Sequence, residues 1–257
     1  LSPSKAGNLT YASSNSTIVS IDENGMITAH NVGTVTITVS YSGNENYTSA
    51  SDVIVTVNVG TCPTEVIVNE SEVSLFVDDE SVVNATLSYP EAGDLVYVSS
   101  DVNVVTVDAY GRLVAFGEGV ANVTITFAGN GKYLASNATV KVTVSKIATE
   151  IIINNTSIVL NLTDSIDVGA VLSPGEAGDL IYTSSDENIV KVVDGVISAV
   201  GEGNATVKIS FAGNNKYSAS EALVNVTVTT VPTSVIVNES EVSLFVDDES
   251  VVNATLS

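Results

Sequence analysis

The chain has 257 residues, of which 30 are acidic and eight basic, and its net charge of −22 opposes binding to nucleic acid or to an anionic membrane surface. Val and Ile dominate its apolar residues and Thr and Ser are abundant, so the composition predicts an all-β protein and excludes a helical one. The single cysteine, Cys62, cannot form a disulfide within the chain, and no apolar run of about 18 residues predicts a membrane span.

Two phrases recur along the chain with a period of about 85 residues, which is typical of a tandem array of similar units. The first phrase is KAGNLTYASSN at 5–15, EAGDLVYVSSD at 91–101 and EAGDLIYTSSD at 176–186. The second is YSGNENYTSA at 41–50, FAGNGKYLAS at 127–136 and FAGNNKYSAS at 211–220.

This period divides the chain into two complete and two partial repeats. We expect complete repeats at 61–146 and 147–230, a repeat without its first strands at 1–60, and the first strands of a further repeat at 231–257. The two partial repeats are complementary, because the later one has the phrase that the earlier one lacks.

The phrase VIVNESEVSLFVDDESVVNATLS makes this complementarity concrete, since it occurs at 66–88 and again, unchanged, at 235–257. Aligning 231–257 with 62–88 leaves two differences in 27 positions, Cys62 against Val231 and Glu65 against Ser234. We expect residues 231–257 to be strands without a sheet, and residues 1–60 to expose a sheet edge that those strands could complete.

Within each repeat the apolar residues alternate with polar ones, as in a strand with one buried face. Val123, Ile125 and Phe127 share one predicted face, and Asn122 and Thr124 lie on the other. Turn signals at intervals of about 8–12 residues predict a β-sandwich of about seven short antiparallel strands in each repeat. The connections between repeats are only a few residues long, so we expect the sandwiches to form a linear rod.

The order of these phrases resembles the group 2 bacterial immunoglobulin-like (Ig-like) repeats. The residues that carry the resemblance are Ser99, Ser100, Val105, Val107, Asp108, Gly111, Leu113, Ala115, Gly119, Ala121, Val123 and Ile125. The G-N-x-x-Y phrase and the frequent Asn-x-Ser/Thr triplets look like tandem repeats of adhesin-like surface proteins in methanogenic archaea. The resemblance implies a tandem Ig-like fold and an extracellular stalk or adhesive array.

The strongest chemical signal is the Asn-x-Ser/Thr triplet, the acceptor sequon for N-glycosylation. Fourteen of the 23 asparagines begin one, whereas the 58 Ser and Thr residues would give about five by chance. A Thr-rich strand with alternating polar positions also generates such triplets. The competing interpretation is therefore that the triplets reflect strand composition and carry no glycans. The candidates are Asn8, Asn15, Asn46, Asn69, Asn84, Asn122, Asn137, Asn154, Asn155, Asn161, Asn204, Asn225, Asn238 and Asn253.

Acidic clusters such as Asp78-Asp79-Glu80 raise the alternative of calcium binding, but none of them supplies the six to eight oxygens of a full calcium loop. Asp22, Asp108 and Asp194 each precede a glycine, which favours hydrogen-bonded turns. We therefore predict no metal site and no cofactor.

Nothing in the sequence predicts an enzyme. The lone His30 occupies a position that holds Phe116 and Val200 in the other repeats, so it is not a catalytic candidate. No P-loop, nucleophile elbow or Cys/His constellation is present, and we predict no catalytic residue.

These observations predict a structural segment of a glycosylated extracellular stalk, fibre or adhesin, with neighbouring copies or repeats as head-to-tail partners. The sequence leaves open whether the chain is part of a longer array or a filament subunit in which 231–257 completes 1–60 of the next copy. A ligand-binding adhesin module that recognises a surface glycan or a host protein is the alternative, with Tyr89 and Tyr110 as the tyrosines outside the repeat pattern.

Overall fold

The computed structural model describes residues 6–257 and places 52% of them in β-structure. The chain divides into two compact units, Leu1–Ser145 and Lys146–Ser257. The strands of the first unit are β1 (Thr10–Ser13), β2 (Val19–Ile21), β3 (Ile27–Ala29), β4 (Gly33–Tyr41), β5 (Ala50–Val59), β6 (Val66–Val68), β7 (Glu72–Phe76), β8 (Glu80–Val82), β9 (Ala85–Leu87), β10 (Val96–Ser99), β11 (Val105–Val107), β12 (Arg112–Ala115), β13 (Gly119–Phe127) and β14 (Ser136–Ser145). Those of the second unit are β15 (Glu150–Ile152), β16 (Ser157–Asn161), β17 (Ser165–Asp167), β18 (Val171–Ser173), β19 (Ile181–Ser184), β20 (Val190–Val193), β21 (Val196–Ala199), β22 (Gly203–Phe211), β23 (Ser220–Thr229), β24 (Val235–Val237) and β25 (Ala254–Leu256). Single 3-10 turns at Pro90–Ala92 and Gly175–Ala177 are the helical elements of the described residues.

The strands β6 to β14 form an Ig-like sandwich around one apolar core. A four-stranded sheet in the order β10-β13-β14-β7 faces a three-stranded sheet in the order β11-β12-β8, with the β6-β9 pair beside them. Val123, Ile125 and Phe127 point into this core while Asn122 lies exposed, as the alternation predicts. The prediction of an all-β chain with tandem Ig-like sandwiches is confirmed.

The strands β15 to β23 of the second unit repeat this arrangement strand for strand. Its sheets run β19-β22-β23-β16 and β20-β21-β17, with the pair β15-β18, and the buried residues Val190, Ile197, Val207, Ile209 and Val224 lie at its centre. The recurring order shows that similar phrases fold into similar sheets.

Two features of the complete sandwiches differ from the prediction. Each contains nine strand segments rather than about seven, because its first 25 residues break into four short strands that move between the sheets. One of these breaks falls at Asp78, whose φ of +73° interrupts an extended strand between β7 and β8. The predicted pairing was antiparallel, but β7 pairs with β14 in parallel, as does β16 with β23.

Residues 6–60 form a smaller version of the same pattern. They contain a three-stranded sheet, β1-β4-β5, and the pair β2-β3, around a core of Val19, Val35 and Ile37. Comparison with β10-β13-β14-β7 shows that β5 occupies the place of β14 but lies at a sheet edge within the described residues. Likewise, β3 corresponds to β12 but, among residues 6–257, it pairs only with β2.

Residues 231–257 contain one antiparallel strand pair, in which β24 pairs with β25 and Val235 lies opposite Leu256. Residues 238–253 connect the two strands. The same register joins Val66 to Leu87 in the β6-β9 pair. Every residue from 231 to 257 is exposed, and residues 241–245 and 249–251, the counterparts of β7 and β8, are not in strands. The expectation that 231–257 would be strands is therefore met only at β24 and β25, because β7 and β8 form by pairing with the sheets of a complete sandwich.

Candidate functional site

The clearest unsatisfied surface of residues 6–60 is the open core beside β3 and β5, which we call the acceptor edge. Val55 on β5 is 44% exposed, whereas its counterpart Val140 on β14 is fully buried. Ile27 on β3 is 45% exposed, whereas its counterpart Leu113 on β12 is fully buried. Apolar side chains that a complete sandwich covers are therefore in contact with solvent here.

Residues 66–88 show how a complete sandwich covers the same positions. Val77, Val83 and Leu87 are buried in its core, and Val73 and Leu75 pack against it. Packing of these side chains removes apolar surface of the core from water.

Backbone hydrogen bonds hold residues 66–88 to both sheets. The Val77 amide donates to the Ser145 carbonyl (3.1 Å), and the Val83 amide donates to the Gly111 carbonyl (2.8 Å). The segment therefore satisfies edge donors and acceptors that would otherwise remain unpaired.

The donor segment, residues 231–257, has the same covering side chains but nothing to cover. Val246 is 93% exposed where its counterpart Val77 is 1% exposed, and Leu256 is 75% exposed where Leu87 is 6% exposed. This difference arises from the surroundings, because the 23 residues 235–257 are identical to 66–88.

The donor segment nevertheless keeps the local geometry of its counterpart. Asp247 has the same φ of +73° as Asp78, and the Phe245 amide donates to Asp248 Oδ2 (2.9 Å) as Phe76 does to Asp79 Oδ2 (2.8 Å). The β24-β25 pair and the turn at Asp247 are therefore present in a segment whose other residues are not paired in a sheet.

All fourteen predicted glycosylation asparagines lie within the described residues, and every one of them is exposed. Five of them lie in strands, such as Asn122 on β13 and Asn204 on β22, where alternation with buried residues places them on the exposed face. The other nine lie in turns and connections. Asn204 Oδ1 accepts a hydrogen bond from Thr227 on the neighbouring strand (2.8 Å), and Asn15 Oδ1 accepts one from Thr17 of its own sequon (2.7 Å). In both cases the side-chain nitrogen that would carry a glycan is left outside these bonds.

The aspartates that recur before a glycine in each repeat accept hydrogen bonds from backbone amides of the turns that they begin. Asp22 Oδ1 accepts from the amides of Asn24 (2.9 Å) and Met26 (2.8 Å), and Asp108 Oδ1 accepts from those of Tyr110 and Arg112. The hydrogen bond from the Met26 amide, with a smaller contribution from Asn24, lowers the pKa of the Asp22 carboxyl. Asp194 differs, because it lies inside its two-residue turn with a φ of +48°.

The asparagine of the G-N-x-x-Y phrase has a role that the sequence analysis missed. Asn130 Oδ1 accepts from the Lys132 and Tyr133 amides, both at 2.9 Å, and its Nδ2 donates to the Ala92 carbonyl (2.8 Å). Asn44 and Asn214 make the equivalent bonds in the other two copies. The sequence did carry a signal for this role. The asparagine recurs at the same position of every G-N-x-x-Y phrase but never begins a sequon, so its recurrence is not explained by glycosylation.

The remaining candidates occupy ordinary surroundings. His30 is exposed and shares a 2.8 Å hydrogen bond with Ser20 Oγ. Cys62 is partly buried against the core of β6 to β14, and its amide donates to the Lys132 carbonyl (2.7 Å). Tyr89 is 42% exposed, with its ring 5.4 Å from that of Tyr133. Over residues 6–257 no helix has the length and apolarity needed to cross a bilayer.

Comparison with known proteins relates the chain to Ig-like repeats. The model of the bacterial Ig-like domain (group 2) family matches residues 1–50. An uncharacterized protein of Clostridium acetobutylicum is 31% identical over 147 residues, which are 56% of this chain and 15% of that protein. This chain thus spans a small part of the length of that relative.

Solved structures with a similar arrangement include domains 1–6 of the surface layer protein SbsC, at 16% identity and a TM-score of 0.35, covering 98% of this chain and 44% of that one. The first four extracellular domains of Drosophila N-cadherin match at 10% identity and a TM-score of 0.31, covering 87% of this chain and 66% of that one.

Proposed function

We propose that this chain is a non-enzymatic structural segment of a glycosylated extracellular stalk, fibre or adhesin built of tandem Ig-like domains. The observation that carries the proposal is the combination of repeated sandwiches with fourteen exposed sequons distributed along all of them. The boundaries 1–60, 61–146, 147–230 and 231–257 are the domain division that we propose. The match of residues 1–50 to bacterial Ig-like domains and the G-N-x-x-Y phrase support a place on a cell surface, and we extend this to archaeal adhesin-like proteins.

Glycosylation is the first testable part of this proposal. A glycan needs a solvent-exposed asparagine in a sequon, and all fourteen candidates meet this condition. We expect chemical deglycosylation of native material to lower its intact mass, and glycopeptide analysis to place sugars on sequon asparagines. Asn58 and Asn103 are exposed but lie outside sequons, so they serve as internal controls that stay unmodified. An unchanged mass would contradict the proposal.

The second part is strand complementation, in which residues 231–257 of one copy complete residues 1–60 of another. Support comes from the acceptor edge, which lacks cover within the described residues, and from a donor segment identical over 23 residues to the one that covers the complete sandwich. Such a contact is heterologous and propagates head to tail.

Electron microscopy of the purified chain tests this second part. Continuous fibres in place of separate particles are the expected result, and a chain that stays monomeric at high concentration would contradict complementation. Glycosylation and complementation fail independently of each other.

The alternative, a ligand-binding adhesin module, has one observation in its favour. Tyr89 and Tyr110 are exposed aromatic residues outside the repeat pattern, and exposed aromatics are used to stack on sugars. Saturable binding to one glycan that the Tyr89→Ala and Tyr110→Ala variants abolish would support this alternative. A structural segment should instead tolerate the removal of a whole repeat.

A further inference from the structure

Resting on the proposed complementation, we propose that the donor segment of one copy pairs with both open sheets of a second copy in one fixed register. This contact lacks the two ion pairs that residues 66–88 form in the first complete sandwich. The partner is therefore a second copy of this chain, and the contact consists of β-strand addition and apolar burial. The register follows from the pairings that residues 66–88 make with β14 and β12 in the first complete sandwich.

The first pairing extends the sheet β1-β4-β5. In the complete sandwich, Glu72 to Phe76 lie in parallel beside Lys141 to Ser145. The partners of β4 and β13 show that Thr56 to Gly60 take the place of residues 141–145, because Gly33 lies opposite Val59 as Gly119 lies opposite Val144. Residues 241–245 of the donor segment should therefore lie beside residues 56–60.

The second pairing extends the pair β2-β3. In the complete sandwich, Val114 lies opposite Glu80 and Leu113 opposite Ser81. The counterpart of Val114 is Thr28, and that of Glu80 in the donor segment is Glu249. Thr28 should therefore lie opposite Glu249, and Ile27 opposite Ser250.

Gly25 has room for this second pairing. A Cβ atom built on its counterpart Gly111 would overlap the Val83 carbonyl oxygen of the neighbouring strand, so the close approach requires glycine there. At Gly25 the nearest atoms to such a Cβ belong to the ring of Tyr11, at 3.1 Å, and no neighbouring strand is present within the described residues. The donor residue that would occupy this position is Val252, the counterpart of Val83.

Two ion pairs of the first complete sandwich have no counterpart at the acceptor edge. Glu80 on β8 pairs with Arg112, and Glu72 on β7 pairs with Lys141 at 3.5 Å. At the acceptor edge the counterparts of these cations are Met26 and Thr56. Glu249 and Glu241 would therefore dock opposite uncharged side chains.

Disulfide trapping between two chains tests the register. Both chains carry Cys62→Val, one also carries Thr28→Cys, and the other carries Glu249→Cys. Val114 and Glu80, the counterparts, form a pair that does not exchange backbone hydrogen bonds, and such pairs have Cα atoms about 4.5 Å apart, within the range of a disulfide. We expect a cross-linked dimer under mild oxidation.

The matched control replaces Glu249→Cys by Ser250→Cys, which points to the other face of the strand. We expect it to cross-link at least several-fold more slowly. Equal cross-linking yields from the Glu249→Cys and Ser250→Cys chains would overturn the register but not complementation. The same holds if neither chain cross-links although light scattering shows that the chains associate. Chains that do not associate at all would contradict both.

A second experiment tests the missing ion pairs. The Met26→Arg variant should pair with Glu249 of the other copy as Arg112 pairs with Glu80, and tighten association about two- to five-fold at low salt, the gain typical of an exposed ion pair. Combining it with Glu249→Gln should remove the gain. This part of the inference would be overturned if Met26→Arg left the affinity of association unchanged. It would also be overturned if the gain in affinity persisted in the Met26→Arg, Glu249→Gln double variant.

Discussion

At the scale of single residues, the asparagine and the tyrosine of the G-N-x-x-Y phrase join two turns of each complete sandwich. Asn130 bonds two amides of its own turn and one carbonyl of the Pro90–Ala92 turn. The Tyr133 hydroxyl donates to Glu91 Oε1 of that same turn at 2.7 Å. The phrase therefore recurs because it closes one end of the sandwich.

The asparagine supplies the first prediction. Replacing Asn130 by Ala leaves the Ala92 carbonyl and two amides without their partner, and we expect a loss of about 1–3 kcal/mol in the free energy of unfolding. Gly131→Ala, in the same loop, is the control, because a Cβ there meets no atom within 4 Å, and it should change stability by less than about 0.5 kcal/mol. Urea denaturation measures both, and equal effects would contradict the assigned role.

The tyrosine supplies a pH prediction. The hydrogen bond from the Tyr133 hydroxyl lowers the pKa of the Glu91 carboxyl in the folded chain. A lowered folded-state pKa adds stability above the pKa of the unfolded state, and this stability is lost as the pH falls through the folded-state pKa. Tyr133→Phe should therefore raise the pKa of Glu91 and weaken the acid dependence of stability.

Carbonyl-detected NMR titration of Glu91 measures this pKa. Tyr110→Phe is the control, because that ring is 87% exposed and distant in sequence from Glu91, and it should leave the Glu91 titration unchanged. A Glu91 pKa that does not respond to Tyr133→Phe would contradict the hydrogen bond as its cause.

At the scale of strands, alternation in the sequence predicted an all-β chain and which residues of a strand face the core. Val123, Ile125 and Phe127 are buried and Asn122 is exposed, because a period of two places them on opposite faces. The parallel partner of β7 could not be predicted in this way, since short segments that move between sheets take their register from tertiary contacts. The bond from Asn130 Nδ2 to the Ala92 carbonyl could not be predicted by alternation either, because it joins turns 38 residues apart, and only the recurrence of the asparagine marked it.

A matched pair of leucines tests the function of the covering strand. Leu75 on β7 packs against a complete core, so Leu75→Ala should lower the free energy of unfolding of its sandwich by about 2 kcal/mol. Its counterpart Leu244 is 53% exposed, so Leu244→Ala should leave the thermal unfolding of the monomer unchanged and weaken association. Calorimetry at low concentration and light scattering at high concentration separate the two effects. Unimpaired association of Leu244→Ala would contradict complementation through this strand.

At the scale of the whole molecule, charge opposes the association that strand addition favours. A net charge of −22 on each copy produces mutual repulsion, which salt screens as the Debye length falls from about 30 Å at 0.01 M to about 8 Å at 0.15 M. We expect the concentration at which copies associate to fall over this range, as measured by static light scattering. Association that weakens with salt would instead show that ion pairs drive it.

The parallel pairing of β7 with β14 has a mechanical consequence. The covering segment comes at the start of a sandwich and β14 at its end, so tension applied along the chain pulls these two strands in opposite directions along their common axis. The hydrogen bonds between them lie roughly across that pull and share the strain together, whereas an antiparallel hairpin pulled from its open end would lose them one at a time. If residues 241–245 lie beside β5 of the next copy in the same sense, the joint between molecules resists stretching by the same shear geometry as the sandwiches that it connects.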